Sequence, residues 1–389
     1  MTETSAVRPF RLAIPESELD DLRQRLARTR WPEPETVDGW AQGAPLAAVQ
    51  DLCDYWLRHY DWRRCEAMLN GFGLFETEID GVVINFIHRR SPEPGALPLL
   101  ITHGWPGSVI EFHKVIGPLT DPAAHGGDPA DAFHVVAPSI PGYGFSGKPR
   151  RAGWTVQRVA AAWAELMRRL GYDHYVAQGG DWGSAISIAM GEAAPEELAA
   201  IHLNMVTAPP APDQRAGMDA REQALLARAR YYREQGSGYA VQQSSRPQTL
   251  AYGLTDSPAG QAAWIYEKFC EWTDCDGDPL NVLTRDELLD NIMMYWLPAA
   301  AASSARLYWE SFRSFAVGEV RVPVCCSIFP KDISPPARRW AERRFPGIVY
   351  WNELDRGGHF AAFEQPELFV RELRAALRPW RRAGHGRAA

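Results

Sequence analysis

The sequence lacks the features that mark membrane-spanning, secreted and nucleic-acid-binding proteins. None of its apolar runs reaches the roughly 20 residues of a membrane-spanning helix. Its first residues have neither the basic start nor the apolar core of a signal peptide. The net charge of −7 gives no basic surface for nucleic acid. We therefore expect a cytoplasmic protein that binds neither a membrane nor nucleic acid.

Patterns of metal ligands are also scarce. The six cysteines form no Cys-x-x-Cys pair, and the ten histidines form no His-x-His or His-x-x-x-His pair. We expect buried free thiols and no metal site. Apolar residues make up 46% of the chain and charged residues 23%, which is ordinary for a globular protein. At 389 residues the chain is long enough for one large domain with an insertion, or for two smaller domains.

The most informative stretch is Gly179-Gly180-Asp181-Trp182-Gly183. It follows the apolar residues 175–177 and precedes the helix-like segment 184–190. This order of strand, sharp turn and helix is typical of a nucleophile elbow, in which small residues two before and two after the nucleophile let strand and helix approach closely. Gly179 and Gly183 supply those positions. The five residues alone fit a Gly-Gly-Asp turn in another α/β protein about equally well.

An aspartate at the centre of an elbow indicates a particular chemistry. The carboxylate of Asp181 is ionised at neutral pH, so it is a nucleophile without the help of a base. Attack on an acyl carbon would give a mixed anhydride, whereas attack on an sp3 carbon with a leaving group, as in an epoxide or an alkyl halide, gives an ordinary ester. Water must then cleave that ester. An acid and a histidine should therefore follow Asp181, in that order along the chain.

Candidates for both groups follow two predicted strands near the end of the chain. Asp332 follows the apolar run 322–329, and His359 follows the run 348–351, with glycines at 357–358 beside it. Either residue alone would more often be a solvated or turn residue. Nucleophile, acid and histidine in this order, at the ends of successive strands, favour a catalytic triad. The alternative acids near His359 are Glu353 and Asp355.

A second turn carries candidate oxyanion-hole residues. The apolar run 97–102, predicted to be a strand buried on both faces, leads into His103-Gly104-Trp105-Pro106. Hydrolases with an elbow place one donor of their oxyanion hole after such a strand. We expect the donors to be the backbone N–H groups of Trp105 and Trp182, with His103, Gly104 and Pro106 supporting the turn. A simple glycine–proline turn is an equally good interpretation of this motif alone.

The periodicity of the chain predicts three parts. Residues 1–75 contain two helix-like segments and should form an N-terminal helical arm, whose first helix we expect Ser17 to cap. Residues 76–206 and 317–389 carry the strands of an α/β core, with a mostly parallel central sheet flanked by helices. Residues 207–316 contain helix-like segments and no clear strand, which indicates a helical lid inserted over the elbow.

Taken together, the motifs resemble those of the microsomal-type epoxide hydrolases of the α/β-hydrolase superfamily, and the resemblance covers almost the whole chain. The similar segments are 22–32, 60–63, 103–108, 179–183, 254–260 and 357–364. The resemblance implies an α/β-hydrolase fold and hydrolysis of an epoxide to a vicinal diol without a cofactor. It implies an ester on Asp181, which a water activated by His359 and Asp332 cleaves. The mammalian member has a membrane anchor and a glutamate at the acid position. With Asp332 there, and no anchor expected, this chain is more similar to the soluble bacterial and fungal members.

The resemblance also implies two lid tyrosines, Tyr239 and Tyr308. Opening of an epoxide releases an alkoxide, which a phenol with a pKa of about 10 can hydrogen-bond and protonate. Thirteen tyrosines compete for this role. The main rivals are Tyr252, Tyr266 and Tyr295.

Other functions remain open at this point. A haloalkane or haloacid dehalogenase would share the aspartate, the histidine and the acid, but it needs a halide site and has no use for paired lid tyrosines. A non-catalytic binding protein would be expected to lose one of Asp181, Asp332 and His359, and all three are present. The 15 tryptophans favour an apolar or aryl-bearing epoxide as the small-molecule substrate. A homodimer paired through the arm, and a role in natural-product biosynthesis or in detoxification, are further hypotheses.

Overall fold

Nine strands form one sheet in the computed structural model, which describes residues 6–312 and 318–381. In chain order they are β1 (Arg8–Phe10), β2 (Leu74–Ile79), β3 (Val82–Arg89), β4 (Leu97–Thr102), β5 (Phe133–Pro138), β6 (Tyr175–Gly179), β7 (Leu198–Leu203), β8 (Val324–Ile328) and β9 (Ile348–Glu353). Their order across the sheet is β1-β2-β3-β5-β4-β6-β7-β8-β9. The strands from β4 to β9 run parallel, whereas β1, β2 and β3 join at one side by antiparallel pairing. The mostly parallel sheet predicted from the sequence is therefore confirmed.

The register of the central strands brings the predicted motifs together. Thr102, the last residue of β4, pairs with Gly179, the last residue of β6. The loops that follow both strands therefore start side by side at one edge of the sheet. The loops after β8 and β9 open at the same edge, because parallel strands share their direction.

Fifteen α-helices lie within the described residues. They are α1 (Glu16–Ala27), α2 (Leu46–Arg58), α3 (Trp62–Phe72), α4 (His113–Thr120), α5 (Val156–Arg169), α6 (Asp181–Ala193), α7 (Ala220–Tyr231), α8 (Gly238–Ser245), α9 (Pro247–Asp256), α10 (Pro258–Trp272), α11 (Arg285–Trp296), α12 (Ala301–Ser311), α13 (Arg338–Arg344), α14 (Ala361–Glu364) and α15 (Pro366–Leu377). Helices α4, α5, α6 and α15 pack against the sheet. Strands β5, β6 and β8 are consequently buried along their whole length. Over the same part of the chain, no helix combines the length and the apolar character that crossing a bilayer requires.

The N-terminal segment differs in two ways from the helical arm that the sequence predicts. Strand β1 pairs with β2 at the edge of the sheet, and a third helix, α3, follows α2. A three-residue strand carries too little alternation to be seen in a sequence, because its pairing partner defines it. The prediction that Ser17 caps α1 is wrong. Pro15 occupies the N-cap position, and no side-chain hydrogen bond caps the start of this helix. Glu16 and Glu18 in the first turn supply favourable negative charge instead.

Helices α7 to α12 lie between β7 and β8, where the sequence predicts the lid. The arm packs against them, and the buried face of α1 (Leu19, Leu22 and Leu26) belongs to the same core. Arg25 of α1 bonds to Asp256 at the end of α9. The division into arm, core and lid at residues 75, 206 and 316 stays a proposal. Residues 1–5, 313–317 and 382–389 of these ranges lie outside the described residues.

The cysteines agree with the expectation from composition with one exception. All six are free thiols, and five of them are buried. Cys270 is partly exposed.

Candidate active site

Asp181 lies at a strained turn between β6 and α6. Its φ of 48° falls in the left-handed region, which a residue with a side chain rarely adopts. A Cβ atom added to Gly179 would lie 2.0 Å from the carbonyl oxygen of Gly183, and one added to Gly183 would lie 1.9 Å from that of Thr102. Both positions therefore accept only glycine, as the elbow pattern in the sequence predicts. The turn projects the Asp181 carboxylate toward the loop after β4.

That loop holds one carboxylate oxygen of Asp181. The backbone N–H of Trp105 donates to Asp181 Oδ1 at 2.8 Å. A Cβ atom at Gly104 would lie 2.2 Å from the same oxygen, so glycine is needed for this approach. The Trp105–Pro106 peptide bond is cis. Trp182 is the second residue of α6, so its N–H belongs to the first turn, where helical N–H groups have no partner within the helix.

His103 supports the loop rather than facing the carboxylate directly. Its ring is buried, with Nδ1 3.0 Å from the Gly104 carbonyl oxygen and Nε2 3.3 Å from the Ile140 backbone N–H. Nε2 must accept from an N–H group, so Nδ1 carries the proton and donates to Gly104. Burial lowers the pKa of His103 to about 4, which is consistent with a neutral ring. The residue fixes the backbone just before Trp105.

His359 bridges Asp181 and Asp332. Its Nδ1 lies 2.7 Å from Asp332 Oδ1, and its Nε2 lies 3.5 Å from Asp181 Oδ2. Asp332 Oδ1 also accepts the backbone N–H of Ile333 at 2.7 Å. The backbone N–H of His359 donates to the Trp272 carbonyl oxygen at 2.8 Å, which fixes the histidine loop against α10 of the lid. The three predicted triad residues are thus within reach of one another.

The two alternative acids point elsewhere. Glu353 pairs with Arg221 of α7. Asp355 is exposed and pairs with Arg356. Neither carboxylate contacts His359, whereas that of Asp332 does.

The two carboxylates determine the charge of His359. Burial alone would lower the pKa of this imidazole, but hydrogen bonds and charge interactions with Asp181 and Asp332 outweigh burial and raise it to about 10. The imidazole is therefore protonated at neutral pH.

Two predicted tyrosines lie over the Trp105 and Trp182 indoles. The ring of Tyr239 stacks on Trp105 with centroids 4.7 Å apart, and the ring of Tyr308 meets Trp182 edge to face at 4.7 Å. The two tyrosine rings are 5.8 Å from each other. Burial, followed by neighbouring hydroxyl groups and the charge of Asp181, raises the pKa of both phenols well above the ordinary value. The lid thus brings both hydroxyl-bearing rings over the elbow.

The three rival tyrosines have other surroundings. Tyr252 is 70% exposed. Tyr266 packs its ring edge against Trp40 of the arm. The hydroxyl of Tyr295 donates to the Gly107 carbonyl oxygen at 2.6 Å, so it stabilises the loop after Trp105.

The chain matches two family models, described as "Epoxide hydrolase N terminus" over residues 7–112 and "alpha/beta hydrolase fold" over residues 98–266. A provisionally named epoxide hydrolase of Stigmatella aurantiaca is 55% identical over 376 residues, which cover 96% of this chain and 86% of that protein. Epoxide hydrolase 1 of Oryctolagus cuniculus is 35% identical over 402 residues, which cover 95% of this chain and 88% of the rabbit protein. The chain belongs to the epoxide hydrolase family. It is an enzyme that acts on epoxides, so the dehalogenase and binding-protein alternatives are set aside.

Solved structures of epoxide hydrolases agree with this assignment over the whole chain. The juvenile hormone epoxide hydrolase of the silkworm Bombyx mori has a TM-score of 0.89 at 31% identity, with 97% of this chain and 96% of that chain covered. The Aspergillus niger epoxide hydrolase has a TM-score of 0.86 at 31% identity, with 97% and 98% covered. The α/β-hydrolase fold predicted from the motifs is confirmed.

The epoxide hydrolase has three further residues at this site that the sequence did not predict. The hydroxyl of Tyr232 lies 3.0 Å from that of Tyr239. The ring of Trp272 meets His359 edge to face at 5.2 Å. Glu111 lines the same small cavity as Asp181 and His359. Only Glu111 had a signal in the sequence, since it is a lone carboxylate in the otherwise apolar run Val109-Ile110-Glu111-Phe112.

Proposed function

We propose that this epoxide hydrolase converts its substrate to a vicinal diol through a covalent ester on Asp181. The observation that carries the proposal is the difference between the two carboxylate oxygens. Oδ1 accepts the Trp105 N–H at 2.8 Å, whereas Oδ2 lies 3.5 Å from His359 Nε2. A carboxylate that acted only as a base would need neither the strained elbow nor an amide donor on one oxygen. Oδ2 is then the attacking atom.

In the first step, Oδ2 attacks an epoxide carbon from the side away from the ring oxygen and forms a C–O bond. The ring C–O bond at that carbon breaks, and its electron pair goes to the ring oxygen. Tyr239 and Tyr308 bind this oxygen and supply its proton. Both phenols hold their protons at neutral pH, and an alkoxide is a strong enough base to take one as the ring opens.

In the second step, His359 takes a proton from water, and the oxygen of that water bonds to the ester carbon of Asp181. Negative charge develops on Oδ1, where the N–H groups of Trp105 and Trp182 stabilise it. The bond between the ester carbon and Oδ2 then breaks, and Oδ2 leaves as a hydroxyl oxygen of the diol. The diol leaves with one proton of the water, and the other proton stays on His359. Asp332 holds the imidazole in place through Nδ1.

The charge of His359 links the two steps. With a pKa of about 10, the imidazole starts as a cation and cannot accept a proton. Esterification removes the negative charge of Asp181, so the pKa of His359 falls and the ring becomes able to act as a base. The proton that His359 then loses replaces the one that the tyrosines give to the ring oxygen. Hydrolysis restores the negative charge of Asp181 and the positive charge of His359, so the enzyme gains and loses no net proton over one turnover.

The aromatic surroundings support an apolar or aryl-bearing epoxide as the substrate. Trp105, Trp182, Tyr239, Tyr308 and Trp272 surround the nucleophile, and all five are buried. The homodimer stays a prediction that light scattering at micromolar concentration tests. The apolar face of α1 is buried within the chain's own core, so a dimer would have to pair through other surfaces. The cytoplasmic location also stays a prediction.

The variant His359→Gln tests the ester directly. It removes the base but leaves Asp181 and the tyrosines, so we expect the ester to form and accumulate while diol formation falls about 10²- to 10⁴-fold. After incubation with styrene oxide, mass analysis should find one substrate equivalent on the peptide that contains Asp181.

Two further variants make the result specific. Asp181→Asn should form no adduct, and His125→Gln, at an exposed histidine, should turn over like the wild type. An unmodified Asp181 peptide in His359→Gln, with diol still released, would contradict the proposal.

A further inference from the structure

A small cavity lies behind the nucleophile. Its walls include Asp181, His359 and Glu111, together with the amide side chains of Gln178 and Asn204. The centre of a water-sized sphere can occupy about 10 Å³ of it. That is roughly the room that one ordered water needs, and the walls carry the several polar groups that such a water requires. The cavity therefore has the size and the chemistry of a single-water site.

Glu111 is the one wall residue whose carboxyl group has no part in the proposed steps. It follows the loop of Trp105 and lies in the turn Val109–Phe112. A Cβ atom at Gly107 would lie 1.5 Å from Glu111 Oε1, so the glycine makes room for this carboxyl group. Glu111 is partly buried, and a carboxyl group withdrawn from solvent destabilises a fold unless polar groups compensate it, so its presence in an apolar turn calls for polar partners.

The backbone N–H of Ser108 donates to the Glu111 carboxyl group, which can accept further hydrogen bonds. Within residues 6–312 and 318–381, the ion pairs of His359 are with Asp181 and Asp332, and Glu111 forms none with it. Burial raises the pKa of Glu111 to about 8, and the charge of Asp181 also raises it, while His359 and the backbone N–H of Ser108 lower it. The charges of Asp181 and His359 therefore act on Glu111 across the cavity, although Glu111 forms no ion pair with His359 in the described part of the chain.

We propose that the cavity holds the water that hydrolyses the ester, and that the carboxyl group of Glu111 orients this water against His359. The proposal rests on the ester mechanism above. One O–H of the water points to Glu111 and the other to His359 Nε2, which leaves an oxygen lone pair directed at the ester carbon of Asp181. His359 takes the proton during attack, and Glu111 keeps its hydrogen bond throughout.

The place of the water in the reaction confines the role of Glu111 to the second step. This water is needed only after the ester has formed, and a carboxyl group can accept a hydrogen bond from it in either protonation state. Glu111 therefore has no role in opening the ring.

The variant Glu111→Gln separates the two steps. Its amide has nearly the same shape, so the cavity is retained, while one carboxyl oxygen is replaced by an NH2 donor and the group can no longer carry a charge. Rapid mixing with styrene oxide, acid quenching and mass analysis of the Asp181 peptide give the rate constants of ester formation and ester hydrolysis. We expect ester formation within about twofold of the wild type and hydrolysis about 10- to 100-fold slower, since misplacing a reactant by about 1 Å has effects of this size.

Glu372→Gln is the matched control. Glu372 is also buried, and its carboxylate accepts from Ser327, Tyr350 and Asn352, away from the cavity. The Glu372→Gln variant should lower the free energy of unfolding without changing the ratio of the rate constants of ester formation and ester hydrolysis. Glu111→Asp, which keeps the charge on a shorter side chain, should recover part of the hydrolysis rate.

The possible outcomes distinguish a failure of the role proposed for Glu111 from a failure of the ester mechanism on which that role rests. The role of Glu111 would be overturned if the ratio of the rate constants of ester hydrolysis and ester formation were unchanged in Glu111→Gln, which includes an equal slowing of both steps. A changed ratio in Glu372→Gln would also overturn it. Absence of any ester in the wild type under the same conditions would instead overturn the ester mechanism.

Discussion

His359 carries a positive charge in the folded protein because two carboxylates face one buried ring. Its pKa of about 10 lies above the ordinary value of about 6.5, so the folded state binds the proton more tightly than the unfolded chain does. The stabilisation is complete below about pH 6.5 and is lost as the pH rises toward 10.

This linkage predicts a pH dependence of stability. Between pH 7 and pH 9 the free energy of unfolding of the wild type should fall relative to that of His359→Gln, by an amount on the order of 2 kcal/mol. Urea unfolding at the two pH values measures the difference, and His125→Gln serves as an exposed-histidine control. A wild type that keeps its advantage over His359→Gln unchanged at pH 9 would contradict a protonated His359.

At the residue scale, the sequence was most informative where spacing alone imposes geometry. Gly179 and Gly183 were predicted because an elbow requires small residues there, and each packs against a backbone carbonyl. The candidate triad was predicted because its order follows the strands. Glu111 was not predicted as a site residue, because the cavity brings it near Asp181 and His359, which lie far from it in the sequence.

At the element scale, helix α11 ties the arm to the loop of Trp105. Asn291 donates to the Pro106 carbonyl oxygen at 2.8 Å and accepts from the Ser108 hydroxyl at 2.8 Å. One residue earlier, the buried carboxylate of Asp290 accepts from Arg64 of α3 at 2.7 Å and from the hydroxyl of Tyr60 at 2.7 Å. The arm thereby supports the loop of Trp105 through α11.

Removal of Arg64 should therefore weaken the arm more than removal of a surface arginine. Arg64→Ala leaves the Asp290 carboxylate buried with its charge uncompensated, and we expect a loss of about 2 kcal/mol in the free energy of unfolding, moderated because Arg64 is itself partly exposed. Arg58→Ala, which removes only an exposed pair with Asp54, should cost less than about 0.5 kcal/mol. Urea unfolding measures both, and equal losses would contradict the role given to Asp290.

Elements with strong local patterns were predicted well, and those that depend on partners were not. The run 97–102 coincides with β4 because it is apolar throughout and buried on both sides. Strand β1 and helices α8 and α9 went unpredicted. The last two are short and are separated only by Arg246, so packing against α12 defines them rather than periodicity.

At the scale of the whole molecule, four loops meet at one edge of the sheet and a fifth stretch of chain covers them. The loops after β4, β6, β8 and β9 carry Trp105, Asp181, Asp332 and His359, the residues to which we assign the amide donor, the nucleophile, the acid and the base. The lid adds the tyrosines and fixes the histidine loop through the Trp272 carbonyl oxygen. Fold and family could be predicted from motifs in chain order. The cavity behind Asp181 could not, because its walls come from four separate segments of the chain.

The central claim is that the carboxylate of Asp181, and not water, attacks the epoxide. The most direct test is a single turnover of styrene oxide with enzyme in excess in oxygen-18 water, followed by mass analysis of the Asp181 peptide. The ester mechanism predicts label in the Asp181 carboxylate, because water attacks the ester carbon and its oxygen atom stays on the enzyme, while Oδ2 leaves in the diol. Label in the diol with an unlabelled Asp181 would show direct attack by water and contradict the account.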